Sequence, residues 1–288
     1  MQLDLFAHSH DVMLRHDIVA ALRIRGHAAS VRGLAALVSE YPEDDLLPAL
    51  STLSAWLGAG VPDIPDRALA LALIERIEDE LAPAAQRCMG DGGADWLLPD
   101  WAALATAMAR FEFDPGVEHG HAAPIWLRAR RWAEARMSLQ TIDGWRRKPV
   151  PLAWMIESTW HDAGLARALP LLAELAWIAP SRARALADRL PDQELDTMRQ
   201  RFDAGFDGND DNLDFAWFPA WAALTDSRWA GLLRLALPGC DTDPERALRT
   251  VLELLSLERQ GKHRDMVARR QQLRALHFGL FEEYMRPR

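Results

Sequence analysis

Residues 152–180 constrain this chain more than any other stretch. Leu152, Met155, Ile156, Thr159, Trp160 and Ala163 recur at the i, i+3, i+4, i+7, i+8, i+11 spacing of one helix face. Gly164 interrupts. The run 165–178 that follows is apolar almost all round, broken only by Arg167, Pro170 and Glu174. A helix without a polar face must be covered by neighbours on several sides. The stretch therefore predicts two antiparallel helices that turn at Gly164 and stop at Pro180.

The same punctuation recurs. Helices are predicted over 11–25, with Asp11 as cap and Leu14, Ile18, Ala21 and Leu22 as stripe, and over 28–40, with Gly26 between them. Gly26 and Pro42 are separated by the same interval as Gly164 and Pro180. Residues 1–10 read as a short tail or half-turn. Further helices are expected over 45–57, over 66–81, where Pro83 should kink or end the helix, and over 97–110, with 111–124 irregular. Residues 125–145 read as a helix pair or one bent helix. Ser181 is the expected cap of a helix over 182–189, Pro191 opens the next, and Asp243 caps one that carries Pro244 at its first position and ends at Gly261. Period-2 alternation is absent. The chain reads as all-α, one continuous domain over 1–288, with the glycine-rich stretch 89–95 as a candidate internal boundary.

Paired helices with a glycine at the inner turn and a proline at the outer one resemble tetratricopeptide-type repeats. In RARRWAEARMSL, Trp132, Glu134 and Ala135 resemble the aromatic-x-Glu-Ala opening of such a repeat's second helix. Gly26, Gly164 and Gly261 resemble its inner-turn glycine, Pro42 and Pro180 its closing proline, and Trp154 falls near its first-helix tryptophan. The family's small residues are replaced by Val19 and Glu157 in first helices and by Val31, Leu169 and Met266 in second helices. Regions 45–120 and 181–240 do not fit the family's repeat of about 34 residues. The resemblance implies an α-solenoid of antiparallel helix pairs and a concave face that binds a protein or peptide. Carried over residue by residue, it places His16, Arg23, Arg128, Trp154, Ser158 and His161 on that face.

Composition limits the function classes. A net charge of −9 over 288 residues argues against a general nucleic-acid binder. The basic residues are arginine except for Lys148 and Lys262, and two clusters, Arg128/Arg130/Arg131 and Arg146/Arg147/Lys148, suit helix ends or an acidic partner. Cys88 and Cys240 lie far apart, without metal or redox spacing, which suits a reducing compartment. No signal-peptide pattern opens the chain and no run reaches membrane-span length, so a cytoplasmic protein without a membrane partner is expected.

Chemistry-bearing clusters are few. Glu118, His119 and His121 form the most ligand-like group, and His161 would have to supply a third nitrogen. His8 and His10 pair near the N-terminus. The acidic loop 207–214 fails the calcium-loop pattern, with Asn212 at its sixth position and Phe218 at its twelfth. No nucleophile elbow, P-loop, dinucleotide fingerprint or zincin motif is present. The expected function is a non-enzymatic protein–protein interaction scaffold with no cofactor. Two alternatives stand beside it: a metal-dependent helical enzyme using His119, His121 and His161, and a self-assembling subunit whose interface is the aromatic region 215–229, where Trp217 and Trp221 share a face.

Overall fold

A computed structural model describes residues 3–206 and 211–286. Among the described residues every regular element is helical, and no helix is long and apolar enough to cross a membrane. The chain divides into two compact units, Met1–Arg131 and Trp132–Arg288.

The first unit contains α1 (Leu3–Arg23), α2 (His27–Glu40), α3 (Leu47–Ala59), α4 (Arg67–Arg76), α5 (Ala82–Met89), α6 (Gly92–Trp96), α7 (Leu98–Met108) and α8 (Ala122–Arg128). The tail expected over 1–10 is corrected: α1 already begins at Leu3, since no glycine or proline interrupts the sequence before Gly26. Its buried stripe, Ile18, Ala21 and Leu22, joins Leu37, Leu50, Leu53 and Trp56 in the core.

The α1–α2 turn holds a surprise. Its left-handed residue is Arg25 (φ 55°), whereas Gly26 has φ −85° and caps α2. The Arg25 amide donates to the Leu22 carbonyl (2.9 Å) and the Gly26 amide to the Ala21 carbonyl (2.8 Å), the paired closure of a helix C-terminus. A non-glycine residue in this conformation costs about 1–2 kcal/mol. Offsetting that, the Arg25 guanidinium donates to the buried Asp100 (2.7 Å) and to the Trp96 carbonyl (3.0 Å).

Pro83 does not end its helix. Between α4 and α5, residues Ile77–Leu81 form a π turn, and the Ala82 amide donates to the Ile77 carbonyl. Pro83 thereby falls in the first turn of α5, where its missing N–H costs no ladder bond. The 89–95 stretch lies inside this unit as the α5–α6 junction. A Cβ at Gly93 would sit 2.6 Å from the Ala85 backbone, so only glycine allows the two helices to approach so closely.

The second unit contains α9 (Trp132–Gln140), α10 (Pro149–Ala163), α11 (Leu165–Ile178), α12 (Pro180–Arg189), α13 (Gln193–Gly205), α14 (Asp211–Asp214), α15 (Phe218–Thr225), α16 (Ser227–Leu233), α17 (Asp243–Arg259), α18 (His263–Leu276) and α19 (Phe278–Met285). The acidic loop falls partly on residues 207–210, outside the described residues. The central hairpin is α10–α11, turning at Gly164 (φ 77°, ψ 177°), and α11 is buried over most of its length. Gly26, Gly164 and Gly261 each lie between consecutive helices, and the pairs they join, α1–α2, α10–α11 and α17–α18, are the most extensively packed in the chain.

Two caps differ from expectation. Ala179 precedes Pro180 at the first position of α12, so Ser181 is already inside the helix. Thr242, not Asp243, caps α17, because the side chain one position earlier reaches the Glu245 amide.

The aromatic region 215–229 is interior. Phe215, Phe218, Trp221 and Trp229 are buried, with Phe215 stacked on Phe218 at 4.7 Å and Phe202 edge-on to both. Each such ring removes roughly 150–250 Å² from water, about 4–6 kcal/mol gross. Those four rings are used by the unit's own core.

Two buried carboxylates pin the loop before α17. Glu174 accepts from Arg146 and from the Leu237 amide (2.7 Å). Glu245 accepts from three successive amides, Gly239 (3.0 Å), Cys240 (2.8 Å) and Asp241 (2.8 Å). Arg147 adds a bond to the Pro238 carbonyl (2.6 Å).

Candidate functional site

The face of α1 opposite its core stripe is the most site-like surface of the first unit. Val12, His16, Val19, Ala20 and Arg23 follow one another at i, i+4, i+7, i+8 and i+11, so a single helix face carries them all. With Ile24, Leu46 and Cys88 they line a groove of about 540 Å³. Val12 is 56 % exposed and Ile24 80 % exposed, apolar surface that the unit itself does not cover.

One end of the groove is rigid. The Asp44 carboxylate, almost wholly buried, accepts from Arg15 Nε (2.6 Å) and from the Leu46 amide (2.8 Å). Arg15 also meets Asp11 at 3.1 Å, and the bond to Asp44 raises its pKa. Arg15 is thereby neutralised within the unit. The side chains of His16 and Arg23 are exposed and, among the described residues, make no hydrogen bond or ion pair. Arg23 thereby presents an unpaired guanidinium at the rim of an apolar floor. Burial pushes the Cys88 thiol up to about 11, against a smaller opposing effect of Arg87, so at neutral pH it is a protonated apolar wall and not a nucleophile.

The other residues expected on a binding face are distributed differently. Arg128 is half-buried, paired with Glu78 at 2.5 Å and lying over the Trp101 ring, and it does not line the α1 groove. In the second unit Trp154 is half-buried. His161 is exposed and lies flat on Trp132, ring centroids 4.0 Å apart and planes 4° from parallel. Ser158 is a correction: it is fully buried, and its hydroxyl donates to the Met155 carbonyl (3.0 Å), so it presents nothing to a partner. Trp217 is half-buried against His277, while Trp221 is in the core.

Among the clustered histidines of 118–121, His121 serves the fold. His121 is buried, and its Nδ1 accepts from the Ala123 amide (3.2 Å), capping α8. Burial, and to a lesser extent Arg67, lowers its pKa to about 4, so the ring is neutral. His119 is exposed; it and His121 belong to the first unit, His161 to the second. Among the described residues no group of three or more His, Cys, Asp or Glu side chains is placed to share an ion. His10 meets Glu40 at 3.0 Å; the His8 side chain lies outside what is described. In the second basic cluster Arg146 and Arg147 are engaged by Glu174 and Pro238.

Sequence reasoning missed Leu46 and Cys88 as groove residues. They come from outside α1, and neither carried a local signal: one is a leucine at a helix start, the other a lone cysteine. Comparison with family models, curated proteins and solved structures finds no match to this chain.

Proposed function

We propose that the chain is a non-enzymatic interaction module, its helix pairs stacked in the manner of tetratricopeptide-like arrays, and that the α1 groove receives a segment of a partner protein. The observation that supports this is the α1 face itself. Val12, Val19 and Ile24 alternate there with His16 and Arg23 over a groove large enough for several side chains. Apolar surface left uncovered next to polar groups marks recognition sites. The fitting occupant is an amphipathic peptide with aliphatic residues at helical spacing and an acidic residue placed to meet Arg23.

The test is selection of peptides by display against the purified protein, followed by affinity measurement on Ile24→Asp and Arg23→Glu. Both positions are exposed, so both variants should keep the wild-type circular dichroism spectrum. Selected peptides should carry aliphatic and acidic residues and should lose roughly tenfold or more in affinity for each variant. Equal affinity for wild type and both variants would place the binding surface elsewhere.

A further inference from the structure

A cleft of about 540 Å³ in the second unit combines an apolar floor with converging arginines. Leu224, Ala230 and Leu255 contribute to the floor. Arg201 from α13, Arg259 from the end of α17 and Arg286 just after α19 contribute to the rim. Three separate elements thus bring guanidinium groups to one opening whose volume lies in the range of small-molecule sites.

Three arginines face two acids in the cleft, which leaves one guanidinium in excess. Glu258 accepts from the Tyr284 hydroxyl, and Glu283 is paired with Arg286 at 2.6 Å. Arg259 donates through Nε to the Leu255 carbonyl (3.1 Å), and no ion pair holds its terminal nitrogens among the described residues. The Arg201 guanidinium makes no hydrogen bond or ion pair among the described residues. Elsewhere in the same unit Arg184, Arg199, Arg228, Arg246 and Arg269 each reach a carboxylate. Arg201 and Arg259 thus line one cleft without a carboxylate partner among the described residues. Their forked donors match an oxyanion.

We propose that this cleft binds a small organic oxyanion, a carboxylate or phosphate head on an aliphatic body. The head lies between Arg201 and Arg259, and the body lies on Leu224, Ala230 and Leu255. Head and body contribute together, so neither a bare anion nor a bare chain is sufficient. This site is separate from the α1 groove and does not depend on the function proposed for it.

Isothermal titration of the full chain with decanoate and decyl phosphate tests the assignment, alongside acetate, inorganic phosphate and decyltrimethylammonium. Decanoate or decyl phosphate should bind with one-to-one stoichiometry, the tighter of the two identifying the preferred head. The double variant Arg201→Gln/Arg259→Gln should weaken that binding by roughly tenfold or more. Both positions are exposed, and an unchanged thermal melt verifies that the variant is folded. Absence of binding to either amphiphile would overturn the proposal. So would equal affinity for wild type and the double variant, or decyltrimethylammonium binding as tightly as decanoate.

Discussion

Arg146 grips Glu174 with two prongs, Nε at 2.5 Å and a terminal nitrogen at 2.7 Å, and the carboxylate it holds is wholly sequestered from solvent. Removing one member of such a pair strands the other. Arg146→Met should destabilise the second unit by about 3–5 kcal/mol. Adding Glu174→Leu should recover most of that loss, leaving chiefly the Leu237 amide unmet, at about 1–3 kcal/mol. Urea unfolding followed by tryptophan fluorescence measures both. A double variant as unstable as the single one would show that the pair does more than balance charge.

Glu245 should be the most sensitive acid near α17. Its two oxygens receive three amides, and glutamine offers one oxygen and no charge. Glu245→Gln should cost about 2 kcal/mol. Amide hydrogen exchange at Gly239, Cys240 and Asp241 should accelerate before the rest of the unit does.

The first unit should weaken in mild acid. His121 in the fold titrates near 4 because burial, aided by Arg67, disfavours its charged form. Unfolded, an imidazole titrates near 6.5. As pH falls, the unfolded chain therefore takes up the proton first. The stability linked to this ring is complete above about 6.5, drains between about 6.5 and 4, and is gone below, a total of up to about 3 kcal/mol. His277 acts in the same direction in the second unit: burial lowers its pKa, partly opposed by Asp214. His121→Asn, which keeps an acceptor for the Ala123 amide, should flatten the dependence in unfolding curves between pH 7 and pH 4.5.

Gly164→Ala should destabilise the central hairpin by about 1–3 kcal/mol, because φ 77° with ψ 177° is a backbone conformation open to glycine alone. A Cβ there meets nothing within 4 Å, so the loss would be purely conformational. Asn should not rescue it, since its tolerated left-handed region has a much smaller ψ. A lowered melting temperature for Ala and Asn alike is the expected reading.

Much of the helical organisation was legible in the sequence. The stripes Leu14–Ile18–Leu22 and Leu152–Met155–Ile156 follow a period that only a helix satisfies, and the glycines at 26, 164 and 261 mark turns whatever surrounds them. What escaped was decided by partners distant in sequence. Arg25, not Gly26, takes the left-handed position because Asp100 and Trp96, some 75 and 71 residues away, hold its guanidinium. Pro83 read as a kink or an end because a π turn has no residue signature. Of the site, His16 and Arg23 share the exposed face of α1. Ser158 did not survive, since spacing alone cannot distinguish an inward serine that bonds its own helix from an outward one.

The flat stack of Trp132 on His161 makes the second unit an optical reporter. A protonated imidazole quenches the emission of an indole in van der Waals contact with it, whereas a neutral one does so far less. Trp160 meets the same imidazole edge-on at 4.7 Å, so the difference between wild type and Trp132→Phe reports this ring cluster among twelve tryptophans. Anything that settles on the exposed side of His161, or pulls α9 from α10, would then register as a change in brightness without an added label.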